Sequence, residues 1–240
     1  MARRRDTRER TEAQIIELGR RHLVEHGATG LSLRAIARDL GMVSSAVYRY
    51  VSSRDELLTL LLIDAYSELA DIVDRAREVV PEAWSDDVIA IAHAARGWAV
   101  GHPTSWALLY GSPVPGYHAP ADRTVGPGTR VVGALFDAVA AGIATGDIKL
   151  TNYSAPQPIS SDFERLRQDF GFPGDDRVIA KCFAVWAGVV GAISLEVFGQ
   201  YGADTLSDPE TVFDSQIRVL VGVLTQPDVG SALFRVSSPN

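Results

Sequence analysis

Ser44, Ser45, Tyr48 and Arg49 bring two hydroxyls, a phenol and a guanidinium into one short stretch of this 240-residue chain. A guanidinium can fork onto a base edge or a phosphate, and hydroxyls can donate or accept at either. The set suits hydrogen bonding to a duplex, provided that a rigid element presents it. Spacing supplies that element. Leu33, Ile36, Ala37 and Leu40 fall at i, i+3, i+4 and i+7, one apolar stripe of a helix. Ser32 is placed to cap it, and Gly41 to end it in a left-handed conformation. After Met42 and Val43, the residues Val47, Tyr50 and Val51 repeat the apolar spacing. The polar four fall largely off that stripe. Two helices around a short turn with a glycine predict a helix-turn-helix, whose second helix enters the major groove. An ordinary helical hairpin in an all-α core has the same pattern.

The flanks extend this unit. Thr11 and Gln14 have capping-box spacing. They predict a helix with Ile15, Ile16, Gly19 and Leu23 near one face, closed by Gly27; Asp6 or Thr7 are earlier candidate starts. Ser53 is placed to cap a long helix, with Asp55 and Glu56 at the positive end of its dipole and Leu57, Leu58, Leu61, Leu62 and Ala65 on its buried side.

Residues Thr7 to Leu62 resemble the DNA-binding domain of the TetR family of transcriptional regulators. The resemblance rests on Ile15-Ile16-Glu17-Leu18, Gly27, the run LSLRAIARDLG, Val47-Tyr48-Arg49-Tyr50, and Ser53-Arg54 followed by Leu57-Leu58. Two positions depart from it. Val43 stands where the family usually has a capping Ser or Thr, which leaves the cap to Ser44, and Val51 stands where the family usually has Phe. The resemblance implies an all-α protein. A three-helix helix-turn-helix domain over residues 1–52 would be followed by a larger helical effector-binding and dimerisation domain over 53–240. Its implied DNA contacts are Arg34, Ser44, Ser45, Tyr48, Arg49, Tyr50 and Arg54. Ser44, Ser45 and Arg49 are candidates for base edges, and Tyr48, Tyr50 and Arg54 for phosphates.

Beyond residue 53 the pattern remains helical. Ser85-Asp86-Asp87 opens a helix through Val100, stopped by His102-Pro103, and Thr104 is placed to cap a short helix ending near Gly111. The Gly- and Pro-rich stretch 111–128 reads as an irregular loop. A helix over Arg130–Ala144 closes at Gly146, and 152–162 reads as a second loop. Asp175 or Asp176 opens a helix to about Gln200. Asp208-Pro209-Glu210 opens the last helix, which ends before Pro227, and the tail Ser237–Asn240 is expected to be disordered. This part is similar to a TetR subgroup with His-Pro, Pro-Val-Pro-Gly-Tyr and Trp-His-Gly motifs, here His102-Pro103, Pro113 to Tyr117, and Trp186-Ala187-Gly188. Ala187 replaces the subgroup's His. Trp98, His102, Trp106, Tyr110, Phe183 and Trp186 are candidate contacts to an apolar effector; read singly, each aromatic is equally a core residue. The last two helices are the implied homodimer surface, through Val185, Val189, Ala192, Ile193 and Phe198 with Phe213, Ile217, Leu220 and Leu224, unless these are buried within one subunit.

Charge follows the same division. Residues 1–54 carry eleven Arg and six acidic residues, whereas the rest carries twelve basic and twenty-four acidic ones. A local basic region can bind phosphate on an acidic protein, since exposed charges beyond about 10 Å are screened. Arg3-Arg4-Arg5 reads as a flexible arm for phosphates or a minor groove, or as a solvated tail. One cysteine, Cys182, excludes an intrachain disulfide. The amino terminus lacks the apolar stretch of a secretory leader, so the expected location is cytoplasmic. The apolar run Val178–Phe198 reads as a buried helix rather than a membrane span, with Gly188 and Ala192 spaced for close helix packing. No GxSxG, HExxH, Walker A or GxGxxG motif occurs, and no catalytic residue, cofactor or metal is expected. The pair His22 and His26 has metal-compatible spacing but ends a helix, where packing is the simpler role. The expected partners are a double-stranded operator and a small effector; a helical enzyme or a protein-binding adaptor are the alternatives.

Overall fold

The protein, a computed structural model, is described for residues 2–79, 83–151, 153–202 and 204–226. These residues are helical, with no strand among them. They form two compact units. The first comprises the described residues within 1–75, 94–131 and 194–200; the second comprises those within 76–93, 132–193 and 201–226.

In the first unit, α1 runs Ala2–His26, α2 Leu33–Asp39, α3 Ser44–Val47 and α4 Arg54–Val79. Ser32 Oγ accepts from the Ala35 N–H at 3.4 Å and caps α2. At the other end Gly41 takes φ +65°, the Met42 N–H reaches the Ala37 carbonyl at 2.9 Å and the Gly41 N–H reaches Arg38 at 3.0 Å. This is a complete Schellman closure, and it sets the angle between α2 and α3. Ile15, Leu18, Leu33, Ile36, Val47, Val51, Leu57 and Leu58 share one buried core. Burial of each large aliphatic side chain favours folding by roughly 1.5–3 kcal/mol. A Cβ on Gly19 would lie 3.2 Å from Leu57, so this glycine permits the close approach of α1 and α4. The first unit also holds the end of α5 (Trp84–Gly101), α6 (Pro103–Tyr110) and the start of α7 (Ala121–Ala144).

The second unit holds the remainder of α7, α8 (Ile159–Phe170), α9 (Asp176–Val197) up to Ile193, and α10 (Pro209–Thr225). Phe136 lies against Phe170 and Phe172, with ring centroids 5.1 and 4.7 Å away. Asp208 caps α10 as expected, accepting from the Thr211 N–H at 3.1 Å. Asp175 Oδ1 accepts from the Val178 N–H at 2.9 Å and caps α9. Gly188 gives the predicted close approach: a Cβ there would lie 2.7 Å from Leu220. By length and composition α9 could cross a membrane, but Val178, Ile179, Cys182, Val185, Val189 and Ile193 are buried within the protein, as in a core helix. Cys182 is buried, and desolvation pushes its thiol up to about 12.

Several expectations are corrected. The first helix begins at Ala2, so Thr11 lies inside it and caps nothing, and the Arg3–Arg5 backbone is helical rather than a free arm. Thr104 is not a cap: α6 starts at Pro103 behind His102. The expected loop 111–128 ends at Pro120, and α7 runs straight through Gly126-Pro127-Gly128. Contacts outside the local sequence hold this stretch. Arg123 forks onto Glu56 at 2.7 and 3.0 Å, and Arg130 pairs with Asp71 and Asp74. The second expected loop gives way to α8 at Ile159. Val185, Val189, Ala192, Ile193, Phe213, Ile217 and Leu224, proposed from sequence for a dimer face, are buried within the single chain. Pro227 and the tail 237–240 lie outside the described residues.

Candidate DNA-contact surface and aromatic cluster

The segment after Gly41 is built from its buried side. Val47 and Val51 are fully buried and Tyr50 packs against the same core, so the Val51 position is filled without an aromatic ring. Ser44, Ser45, Tyr48 and Arg49 are thereby turned outward and exposed, as is Arg34 on α2. α3 itself is a single turn, extended by bonds from the Tyr50 and Val51 N–H groups to the Val47 carbonyl at 2.9 and 3.0 Å. Its N-cap is Val43, in the extended conformation a cap requires (φ −66°, ψ 139°), and no side chain bonds the first turn. Ser44 is the first helical residue and does not take over the cap.

Arg54 already has a partner. Its Nη2 donates to the Ala28 carbonyl at 2.7 Å, tying the start of α4 to the turn after α1. Two further ties hold the unit, and neither was read from the sequence. His22 Nε2 is 2.6 Å from Asp39 Oδ2, joining α1 to the end of α2, and this bond lowers the Asp39 carboxyl below its ordinary value. Arg20 pairs with Asp64 and Glu68 on α4. The His22 ring meets His26 edge-on at 5.6 Å, and the described residues contain no cluster of three metal-ligating side chains. Helix-end packing accounts for the pair.

Trp98, His102, Trp106 and Tyr110 lie in the first unit. His102 stacks on Trp98 with centroids 5.4 Å apart and turns its Nδ1 to the Trp98 carbonyl at 2.9 Å, so Nδ1 donates and His102 itself remains exposed. Trp106 is fully buried, donates from Nε1 to Ser194 Oγ at 3.1 Å and lies 4.4 Å from Tyr110. Burial and the neighbouring Tyr66 raise the Tyr110 phenol well above its ordinary range. The Trp98 indole N–H is buried without a protein acceptor. Phe183 and Trp186 lie in the second unit, where Phe183 is 51% exposed and stacks on Phe163. Ser194 and Tyr66 were missed from sequence because neither carries a local motif.

The model of the tetR family of bacterial regulatory proteins matches residues 15–61, and that of the tetracyclin repressor-like C-terminal domain matches 88–220. HTH-type transcriptional regulators of Mycobacterium bovis and Mycobacterium tuberculosis are each 75% identical over 227 residues, covering 94% of this chain and 97% of theirs. The crystal structure of the regulatory protein SCO4313 superposes with a TM-score of 0.74 at 30% identity, covering 91% of this chain and 98% of that one. The transcriptional regulator FadR of Bacillus subtilis, solved with stearoyl-CoA, superposes with a TM-score of 0.60 at 12% identity, covering 89% of this chain and 97% of that one; at that identity the likeness is one of fold.

Proposed function

The chain belongs to the TetR family of helix-turn-helix transcriptional regulators and is not an enzyme, and from that premise we infer that it is a ligand-responsive repressor. In this reading a homodimer binds a palindromic operator in the cytoplasm and is released by a small, largely apolar effector. Residues 1–52 act as the DNA-binding domain and 53–240 as the effector and dimer domain. The observation that carries the reading is the outward set Ser44, Ser45, Tyr48 and Arg49 on a segment anchored to the core by the buried Val47 and Val51 and the half-buried Tyr50. Each α3 would enter a major groove, and paired copies would sit about 34 Å apart. Arg34 would add a phosphate contact, and Tyr50 and Arg54 would steady the backbone on which those contacts depend.

The dimer reading rests on a stripe that α9 leaves uncovered. Ala180, Phe183, Ala184, Ala187 and Leu195 are exposed at helical spacing, and Val219 is exposed on α10. The effector reading rests on Trp98, His102, Trp106 and Tyr110 of the first unit; Phe183 and Trp186, which belong to the second unit, are not counted in that cluster. The His102-Pro103 and Trp186-Ala187-Gly188 motifs favour the subgroup named from sequence. FadR of Bacillus subtilis, alike in fold, was solved with stearoyl-CoA, a ligand that carries a long apolar acyl chain. An effector shifts the equilibrium only by its difference in affinity for the bound and released conformations.

The test is selection of bound duplexes from a random pool, repeated in rising salt. Recovered sequences are expected to be palindromic, with affinity falling steeply as salt rises. Recovery of no duplex above background would end the DNA reading. With effectors found by release from the selected duplex, Trp106→Phe is expected to change release more than DNA affinity; equal loss of both would make Trp106 a core residue only.

A further inference from the structure

We propose a second ligand site, separate from the aromatic cluster, in the cleft between the end of α1 and α6. The cleft holds about 390 Å³. Leu23, Gly27 and Ala28 form one wall, Ala107 and Leu108 of α6 the other, and Phe198 stands at the rim. All belong to the first unit.

Volume and chemistry select the occupant. One turn of a partner helix, about 11 Å across and 5.4 Å long, occupies roughly 500 Å³ and is too large for this cleft. A small molecule of about 10–20 heavy atoms is not, since ligand pockets start near 300 Å³. The lining contains no charged residue, so a charged ligand would lose hydration without a counter-ion. Thr104 and Ser112 supply hydroxyls, enough to orient one polar group. Glycine is required at the edge: a Cβ on Gly111 would lie 2.3 Å from the Ala107 carbonyl oxygen. Phe198, 40% exposed, gives an apolar ligand a surface to cover. The ligand class is therefore compact, neutral and apolar, with one hydrogen-bonding group.

The site lies against the parts that set the DNA-contact surface. Ala28 lines the cleft with its side and accepts Arg54 at the start of α4 through its carbonyl. Leu108 and Val114, also in the lining, pack on the core beneath α2 and α3. A ligand wedged against Ala28 and Leu108 disturbs both supports, so binding here opposes DNA binding. This consequence rests on the DNA reading, whereas the site itself does not.

The probe is N-phenyl-1-naphthylamine, a neutral two-part aromatic amine whose fluorescence rises in apolar surroundings. It is titrated into the full-length protein, into Ala107→Phe, which fills the cleft, and into Ser112→Phe, which blocks its mouth from an exposed position. Wild type is expected to bind the probe, and both variants to bind it at least about tenfold more weakly at unchanged melting temperature, a loss equal to about 1.4 kcal/mol. Undiminished binding in Ser112→Phe and Ala107→Phe, or no binding by wild type, overturns the site. The probe is then added to the complex with the selected duplex, where release from wild type but not from the variants is expected. Binding without release would overturn the coupling and leave both the site and the DNA reading standing. Failure of the protein to bind any duplex would instead fall on the DNA reading alone.

Discussion

Val43 holds the N-cap of α3 with a suitable backbone but with a side chain that cannot accept a hydrogen bond, and it is 69% exposed. Val43→Ser adds the missing acceptor at a solvated position where the valine buries little. It is expected to stabilise the protein by about 0.5–1 kcal/mol, read as a higher melting temperature; no rise would mean that the new hydroxyl prefers water to the first turn. Arg49, exposed two residues past the end of α3, has the opposite character, since its value lies outside the folded chain. Arg49→Ala is expected to leave melting unchanged and weaken binding to the selected duplex by roughly 1–3 kcal/mol if the guanidinium reads a base. Titration of that duplex decides it, and unchanged affinity removes Arg49 from the contact set.

At the scale of elements, packing between helices decides what local propensity leaves open. Gly142 of α7 lies beneath Trp84 and Ile148, where a Cβ would sit 2.7 and 2.8 Å from their side chains. The indole is also fixed by its bond to Asp147 at 3.0 Å, so it cannot simply step aside. Gly142→Ala is expected to destabilise the protein by about 1–3 kcal/mol, although alanine is the better helix former; a gain in melting temperature would show that the ring yields. Asp176 fastens α8 to α9. Burial acts to raise its pKa, but the Arg167 guanidinium at 2.7 Å and the Ala155 N–H at 2.8 Å outweigh this and hold it below its ordinary 3.8. A depressed folded value means that the unfolded chain binds the proton more readily. The contribution is present above the unfolded value and fades as pH falls through the lower folded one. Melting temperature is expected to fall as pH drops below about 4, and to fall less steeply in Asp176→Asn; equal acid slopes would exclude this carboxylate as a source. The same distinction explains what the sequence made legible. Ser32, Gly41, Ser53 and Asp208 act on their own neighbours, and each is found in its expected role. The α7 start could not be read, because Gly126-Pro127-Gly128 is a local breaker overridden by Glu56, Asp71 and Asp74 from a distant helix. The outward set Ser44 to Arg49 followed from periodicity alone, whereas the His22–Asp39 tie, Ser194 beneath Trp106 and the inward side of α10 depend on chain segments far apart in sequence.

For the whole molecule, the question is which surface meets another copy. The stripe of Ala180, Ala184 and Ala187 on α9 is exposed and small, suited to close approach of a second helix. Ala187→Glu places a charge there without touching the core beneath. In sedimentation at micromolar concentration the wild type is expected to be a dimer and the variant a monomer, with weaker operator binding because two tied recognition elements become independent ones; a dimeric variant would move the interface elsewhere. The one cysteine has a practical consequence for such work. Cys182 is buried and its thiol is held far from ionisation, so at neutral pH it offers almost no thiolate to an electrophile. The natural chain is thus a nearly silent background for maleimide chemistry. A dye or spin label can be placed on a cysteine introduced at any exposed position, and movement of the DNA-contact surface can be followed by spectroscopy without first engineering a cysteine away.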